Sequence, residues 1–304
     1  MSSLLSVLHN ALPVATPLLI AALGGLLTEL TGILNIGLEG LMLTGAFFGF
    51  LVAGMTGSVA LGAAAGMGAA GLLALLFAYA CLKLRANIFI SGIAINLLAA
   101  SLTSILATRF FGRKGIYRTE ALPSLFKTAA ADWTGPVGRI LLDQSLFVYA
   151  GWLLALLVSV ALYRTSFGLR LRAAGHDPRT LKALGLRPTR YRFAAIMLGG
   201  LACGLAGAYL SLNLEAFVPN ITAGRGWIAL VIIFLGYRRP GGIVIASLVF
   251  GLAESLSNFS QGFLDLPSQV ILAFPYLISA AALVVYSIWE YHRHFVSRFR
   301  LPPR

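Results

Sequence analysis

Five polar side chains lie within or beside long apolar runs, where each is a candidate either to bind a polar ligand or to hold helices together. They are Asn35, Glu39, Asn96, Arg225 and Glu254. Amide, carboxylate and guanidinium groups are costly to bury in hydrocarbon, so they mark either a solute pathway or a contact that tightens a helix bundle. Both possibilities stay open for each residue taken alone.

Two glycine-rich segments accompany these side chains. Residues 31–40 read Thr-Gly-Ile-Leu-Asn-Ile-Gly-Leu-Glu-Gly, and residues 222–226 read Thr-Ala-Gly-Arg-Gly. Each leads into an apolar run with almost no loop. Irregular backbone at membrane depth is tolerated where it lines a cavity or is buried in protein, and paired breaks point to a transport site. We therefore predict helix interruptions at Gly37 and Gly226 that line one central pathway; two ordinary tight turns are the alternative.

A basic stretch, residues 164–192, separates two apolar runs and carries eight Lys/Arg against one acid. We call it the coupling segment. Asp177 suits the N-cap of a short helix, Pro178 its first position and Gly185 its end. Such a helix on a basic loop can receive force from a soluble partner; the alternative is a solvated loop held at anionic headgroups. The candidate coupling residues are Gly175, Asp177, Pro178, Leu181, Leu184 and Gly185.

The elements that must position these residues are membrane spans. Apolar residues make up 59% of the 304 residues and charged residues 11%. Runs of spanning length fall near 8–28, 37–55, 58–82, 87–108, 146–163, 193–214, 227–237, 241–260 and 270–289. The run 227–237 is too short to cross alone. The sequence predicts an all-α, polytopic transmembrane bundle of nine or ten spans. It forms one domain over 1–304, with broken helices and an inverted internal repeat.

Glycines inside the predicted spans have a different role from those in the two glycine-rich segments. Gly62 and Gly66, and likewise Gly200 and Gly204, are spaced as GxxxG pairs. Small residues at this spacing let helix backbones approach closely. We predict tight helix packing at both pairs.

The net charge of +13 follows the predicted topology. If the coupling segment is cytoplasmic, alternation of spans places 16 of the 23 Lys/Arg inside, together with the carboxyl terminus. The loop 109–145 then lies outside. The charge therefore indicates the topology of a multi-pass membrane protein and not a nucleic-acid partner. Residues 1–30 lack Lys and Arg, so the first span is expected to stay uncleaved.

Catalytic and cofactor motifs are missing from the sequence. There is no Gly-x-x-x-x-Gly-Lys-Ser/Thr loop to bind phosphate and no nucleophile–base pair. Cys81 and Cys203 both lie in apolar runs without CxxC spacing. We expect a protein that is not an enzyme and that carries no metal or cofactor.

The motifs around these candidates resemble a known family. Residues 32–46 look like the signature of the nucleoside, basic membrane lipoprotein-dependent branch of bacterial ABC importer permeases. That branch belongs to a group that includes ribose and branched-chain amino acid permeases. Residues 222–230 and 250–254 resemble its second-half pattern, and residues 172–185 resemble its coupling segment to the ATPase. The resemblance covers about residues 15–290 but not the loop 109–145.

The resemblance implies partners and a solute. The partners are a second homologous permease, a cytoplasmic ABC ATPase and an extracytoplasmic solute-binding protein. Membrane lipid surrounds the permeases. A nucleoside offers hydroxyls, a polar base edge and a flat face. Amide and carboxylate groups can bind the first two, and Phe47, Phe48, Phe89 or Trp227 can stack on the face. Sugar or branched-chain amino acid transport and an ion-coupled secondary transporter are the alternatives.

Overall fold

The computed structural model describes residues 2–112, 117–118 and 144–261, together with the single positions 277, 281 and 284. Within these ranges the chain is almost entirely helical. The long helices are α1 (Ser2–Glu29), α2 (Leu38–Thr56), α3 (Val59–Ala78), α4 (Ile88–Phe111), α5 (Leu146–Arg164), α8 (Pro188–Asn213) and α10 (Pro240–Ser260). The short helices are α6 (Ser166–His176), α7 (Pro178–Ala183) and α9 (Arg225–Leu235), and α3 continues as a π-helix, Tyr79–Lys83.

All seven long helices are long and apolar enough to cross a membrane, whereas α9, with 11 residues, is not. The prediction of a helical, multi-pass chain is thus confirmed, and the run near 227–237 is a short helix as expected. The ninth predicted span, 270–289, lies outside the described residues apart from three positions. The total of nine or ten spans stays a prediction, as does the inverted repeat.

Helix α1 forms the centre of the bundle. Its most apolar window is 83% buried within the chain, against 22% for α4 and 28% for α5. It packs against α8, α9, α10 and α5. A helix that is apolar all round and enclosed by its neighbours has no face left for lipid. The peripheral helices α4 and α5 keep wide surfaces for lipid or for another protein.

Helices α2, α3 and α8 pack through glycine backbones, as the GxxxG spacing predicts. A Cβ added at Gly62 would lie 2.6 Å from the Gly49 carbonyl oxygen, and one at Gly66 would lie 2.6 Å from that of Gly45. One at Gly204 would lie 2.7 Å from the Gly66 oxygen. Real side chains do not fit at these distances, so the three helices pack at backbone contact.

A two-residue antiparallel pair joins two distant connections. Strand β1 (Tyr117–Arg118) follows α4, and β2 (Ala216–Phe217) follows α8, with Tyr117 opposite Phe217. The rings of Tyr117, Phe111 and Phe217 cluster with Phe47, and this pair thereby fixes the approach of the chain to α9. Strand β2, which precedes α9 in the chain, is therefore held both by β1 and by the ring of Phe47.

Candidate functional site

Two interruptions separate long helices from the helices that follow them. The first break, residues 30–37, lies between α1 and α2; the second break, residues 218–224, lies between β2 and α9. Gly32 (φ +82°) and Gly224 (φ +86°) adopt left-handed backbone, which glycine adopts without steric cost. Both glycine-rich segments thus contain irregular backbone, and α2 and α9 each begin inside the bundle. Gly37 directly precedes α2, whereas Gly226 lies in the first turn of α9. That the two segments line one pathway stays a prediction.

Glu39, in the first turn of α2, joins the two breaks. Its Oε1 accepts hydrogen bonds from the Thr222 hydroxyl (2.6 Å) and the Gly224 amide (2.8 Å). Its Oε2 accepts one from the Gly226 amide (2.6 Å). The first amides of a helix have no partner inside the helix and carry partial positive charge. A single carboxylate of α2 therefore caps the start of α9.

The start of α2 is held by two amide side chains. Asn96 of α4 accepts a hydrogen bond from the Gly40 amide (2.8 Å) and donates one to the Ile36 carbonyl (3.0 Å). Asn35 accepts one from the Gly37 amide (2.9 Å), and it is 1% exposed. The Nδ2 of Asn35 has no hydrogen-bond partner among the described residues. Asn96 therefore bridges two helices, whereas Asn35 closes a local turn.

Arg225 and Glu254 form an ion pair between α9 and α10, through Nη2 and Oε1. The Nη1 of Arg225 also donates to the Ile221 carbonyl at 3.3 Å. Both side chains are largely enclosed, with 24% and 14% of their surface exposed. An enclosed cation thus has a carboxylate partner, which lowers the cost of holding both charges in the bundle.

The two break glycines differ in their surroundings. A Cβ on Gly226 would overlap the backbone of Glu39 and lie 2.8 Å from its Oε2. A Cβ on Gly37 would lie 3.1 Å from the Asn35 Oδ1 and 3.3 Å from the Ile95 Cγ2. The Gly37 φ of −74° suits any residue. Close backbone approach thus requires glycine at 226, and the requirement at 37 is much weaker.

The structure therefore brings together the seven predicted pathway residues in two linked groups. Asn35, Gly37 and Asn96 surround the start of α2, and Arg225, Gly226 and Glu254 surround the start of α9. Glu39 connects the groups. In this conformation the Glu39 carboxylate and the Arg225–Glu254 pair are engaged with protein groups, which are the bundle-tightening contacts that the sequence left as an alternative. Their role in a solute pathway stays a prediction.

The predicted helix of the coupling segment is present as α7. The Asp177 carboxylate accepts hydrogen bonds from the Arg179 and Thr180 amides and from the Thr180 hydroxyl. The Thr180 hydroxyl is the largest of the influences that hold the pKa of Asp177 below its ordinary value. Pro178 occupies the first turn, and Gly185 (φ +75°) follows the last.

Two candidate coupling leucines, Leu181 within α7 and Leu184 directly after it, lie in opposite environments. Leu181 is 3% exposed and packs within the chain, whereas Leu184 is 71% exposed. An apolar face for a partner that includes both leucines needs both to be exposed. Because the α7 helix turns Leu181 inward, Leu184 alone is free for such a contact.

The coupling segment packs directly on the first break. A Cβ on Gly175 would lie 2.8 Å from the Thr31 carbonyl carbon and 2.9 Å from the Gly32 nitrogen. Arg192 of α8 donates to the Thr31 carbonyl through Nε and to the Ala174 carbonyl through Nη2, both at 3.2 Å. The end of α6, the start of α8 and the turn into α2 thus form one contact.

The sequence motifs did not single out the exposed face of α4. Helix α4 packs on α2, where a Cβ on Gly40 would lie 3.0 Å from the Ala99 Cβ, and Thr103 is buried on the same face of α4. On the opposite face Ser101, Ser104 and Thr108 are exposed at helical spacing. The hydroxyl spacing was visible in the sequence, but a serine within a span is ordinarily assigned to packing. Of the proposed stacking residues, Phe89 and Trp227 are exposed and Phe47 is fully buried.

Seven apolar spanning helices, with two breaks linked by a partly buried carboxylate, are typical of a multi-pass membrane transport protein. The family profile described as branched-chain amino acid transport system, permease component, matches residues 7–285. The chain belongs to this family, and it is a permease of the ABC importer type. The expected family assignment is confirmed.

Three curated relatives cover most of the chain. A candidate glucose ABC transporter permease of Haloferax volcanii is 36% identical over 86% of this chain and 79% of its own. The guanosine ABC transporter permease NupQ of Bacillus subtilis is 34% identical over 88% of both chains. The nucleoside ABC transporter permease NupC of Lactococcus lactis is 32% identical over 92% of both.

A solved structure shares the fold. The chain resembles an inward-facing structure described as a metal-chelate type ABC transporter, with a TM-score of 0.54 and 20% identity. The match covers 93% of this chain and 85% of that one. At this identity the similarity concerns the arrangement of helices and not the solute.

Proposed function

We propose that the chain forms one half of the translocation pathway of an ATP-driven importer for nucleosides. A second permease completes the pathway, a cytoplasmic ATPase supplies the energy and an extracytoplasmic binding protein delivers the solute. The permease itself does not hydrolyse ATP. The observation that carries this proposal is the continuous contact from the coupling segment, through the first break, to the starts of α2 and α9.

The contact gives a route for movement. A displacement of α7 by the ATPase moves α6, whose Gly175 and Ala174 lie on the turn 30–32. That turn leads into α2, and the Glu39 carboxylate of α2 holds the start of α9. The Arg225–Glu254 pair extends the connection to α10. Short helices joined by hydrogen bonds move as bodies about such breaks, which suits a switch between two openings.

The solute pathway, on this proposal, runs between two permeases along the exposed face of α4. That helix is the least buried span in the described part of the chain, and it presents Ser101, Ser104 and Thr108. Neutral hydroxyls bind a neutral, hydroxyl-rich solute weakly. Weak binding suits a pathway, because a tightly bound solute is not released.

The positions of the basic residues indicate which end of the bundle faces the cytoplasm. The coupling segment, Arg238 and Arg239 lie at the same end of the bundle, since Arg238 forms an ion pair with Glu29 next to the turn 30–32. We propose that this end and the carboxyl terminus are cytoplasmic, in a bacterial inner membrane, with the loop 109–145 outside. The whole chain acts as one permease domain.

The test is uptake by the reconstituted complex. Proteoliposomes that contain this chain, its partner permease and its ATPase should accumulate labelled nucleoside only with the binding protein outside and ATP inside, on the ATPase side. The chain alone should neither accumulate solute nor hydrolyse ATP. Robust accumulation by the lone chain under a proton or sodium gradient would overturn the proposal in favour of an ion-coupled transporter.

A sugar is the second candidate solute, because the Haloferax volcanii relative is described as a glucose permease. Both solutes present hydroxyls, so the α4 face does not separate them. The exposed aromatic rings of Phe89 and Trp227 favour a solute with a flat face. Competition between labelled guanosine, glucose and leucine in the same proteoliposomes decides between the candidates.

A further inference from the structure

A cavity of about 510 Å³ lies between α7 and the start of α8. Three cationic side chains line it, Lys182, Arg187 and Arg192, and none of its lining residues is acidic. The carboxylate of Asp177, which precedes the lining residue Pro178, is engaged with the first turn of α7. Within the described part of the chain, Lys182 and Arg187 have no ion-pair partner.

Three cations around one concave surface create a site for an anion. Converging like charges raise the local positive potential, and a carboxylate placed among them forms charge-assisted hydrogen bonds. Lys182 and Arg187 are exposed, so they can move toward an incoming group. The cavity is therefore built for a negatively charged ligand.

Arg192 connects this cavity to the bundle. The same guanidinium that lines the cavity donates to the Thr31 and Ala174 carbonyls, both at 3.2 Å. An anion in the cavity competes with those carbonyls for the guanidinium. Occupation of the cavity thus alters the contact that fixes the turn leading into α2.

We infer that a carboxylate side chain of the partner ATPase enters this cavity and pairs with Lys182, Arg187 and Arg192; this inference rests on the proposed function. The neighbouring Leu184 favours a protein ligand over a free anion or a lipid headgroup. It is 71% exposed and adjoins the cavity residue Gly185, so one protein surface can cover the leucine and place an acid among the cations.

The test measures ATPase association with the purified permease pair in lipid nanodiscs. The double change Lys182→Glu with Arg187→Glu should weaken association about tenfold, as expected when charge pairs at an interface are reversed. Arg179→Glu is the matched control, because Arg179 is an exposed cation of α7 outside the cavity lining. It should change association less than about twofold. Arg192→Gln should also weaken association, and it should in addition uncouple ATP hydrolysis from uptake, because Arg192 also holds the Thr31 carbonyl.

The outcomes separate this inference from the proposed function. If the double variant binds the ATPase like the wild type while Leu184→Asp abolishes binding, the coupling role stands and the cavity inference is wrong. If Leu184→Asp also binds normally, the coupling role itself fails. Loss of affinity for anionic-lipid vesicles, with ATPase association unchanged, would assign the cavity to a headgroup and overturn the inference.

Discussion

The starts of α2 and α9 face the same physical problem and meet it differently. Both helices begin inside the bundle, where their first amides need acceptors. At α2 the acceptors are the neutral amides of Asn35 and Asn96, and at α9 they are the two oxygens of the Glu39 carboxylate. Helix α9 also carries a second charged contact, the Arg225–Glu254 pair.

The difference predicts which of the two helix starts is more sensitive to substitution. A carboxylate gives stronger hydrogen bonds than an amide, and its charge is favoured at a helix N-terminus. Helix α9 has 11 residues and its Gly224 and Gly226 amides both depend on the Glu39 side chain, whereas α2 has 19 residues and packs along α3 and α8. We therefore expect the start of α9 to be the more sensitive of the two.

The largest expected effect is that of Glu39→Gln. The variant keeps the size of the side chain but turns one acceptor into a donor that faces amide or hydroxyl donors. Each buried amide left without an acceptor costs about 1–3 kcal/mol, so the free energy of unfolding should fall by about 3 kcal/mol. Thermal unfolding and uptake per purified complex measure this. Glu215→Gln, at an exposed acid after α8, is the control; equal behaviour of the two variants would contradict the prediction.

Alanine substitutions at Gly226 and Gly37 test whether the starts of α9 and α2 have different steric requirements. Gly226→Ala forces its Cβ into the Glu39 backbone, and overpacking of this kind costs about 1–3 kcal/mol. Gly37→Ala should cost less than about 1 kcal/mol, because its φ suits alanine and its neighbours lie at 3.1 Å or more. Gly62→Leu, in the helix stack, should lower folded yield and not uptake per molecule. Similar uptake losses for both alanine variants would show that the breaks are sterically equivalent.

The two asparagines of the first break should differ by about one hydrogen bond. Asn96→Ala removes two bonds from α4, one to α2 at Gly40 and one to the first break at Ile36, and should cost about 2 kcal/mol. Asn35→Ala removes one local bond and a donor that has no partner among the described residues, so about 1 kcal/mol is expected. Chemical unfolding of both variants in the same detergent gives the ranking. A larger loss for Asn35→Ala would reveal a ligand or water on its Nδ2.

The smallest effect is expected at a third helix start, that of α7, where a carboxylate cap is exposed. The folded-state pKa of Asp177 lies below its ordinary value, so its contribution is present at neutral pH and is lost only as the pH falls through the folded-state pKa. Asp177→Asn should therefore bind the ATPase like the wild type at neutral pH, since asparagine caps helices equally well. Asp177→Ala should weaken binding a few-fold. A strong neutral-pH defect in the asparagine variant would mean that the charge itself contacts a partner.

The sequence predicted most of the local structure for identifiable reasons. Hydropathy located the described spans, because backbone polar groups in lipid must be satisfied within helices. Asp177, Pro178 and Gly185 predicted α7 through local capping rules. Gly32 and Gly224 lie in the segments where interruptions were expected.

The contacts between residues on distant helices could not be predicted from the sequence. The residues next to Glu39 in the sequence do not indicate that its carboxylate accepts hydrogen bonds from the Gly224 and Gly226 amides. The residues next to Leu181 do not indicate that its side chain is buried. These contacts depend on how distant helices pack. The exposed hydroxyl face of α4 likewise becomes distinct only once its opposite face is placed against α2.

The Glu39 contact also has a consequence for the synthesis of the chain. Its three hydrogen-bond donors come from residues 183 to 187 positions further along. At translation rates of about 5–20 residues per second, the carboxylate waits roughly 10–40 s for them. During that interval α1 and α2 can leave the translocon while the start of α2 keeps an unpaired charge, which must stay hydrated. The contact between the two breaks therefore forms only after α9 has been delivered, and α10 still has to join the bundle after it.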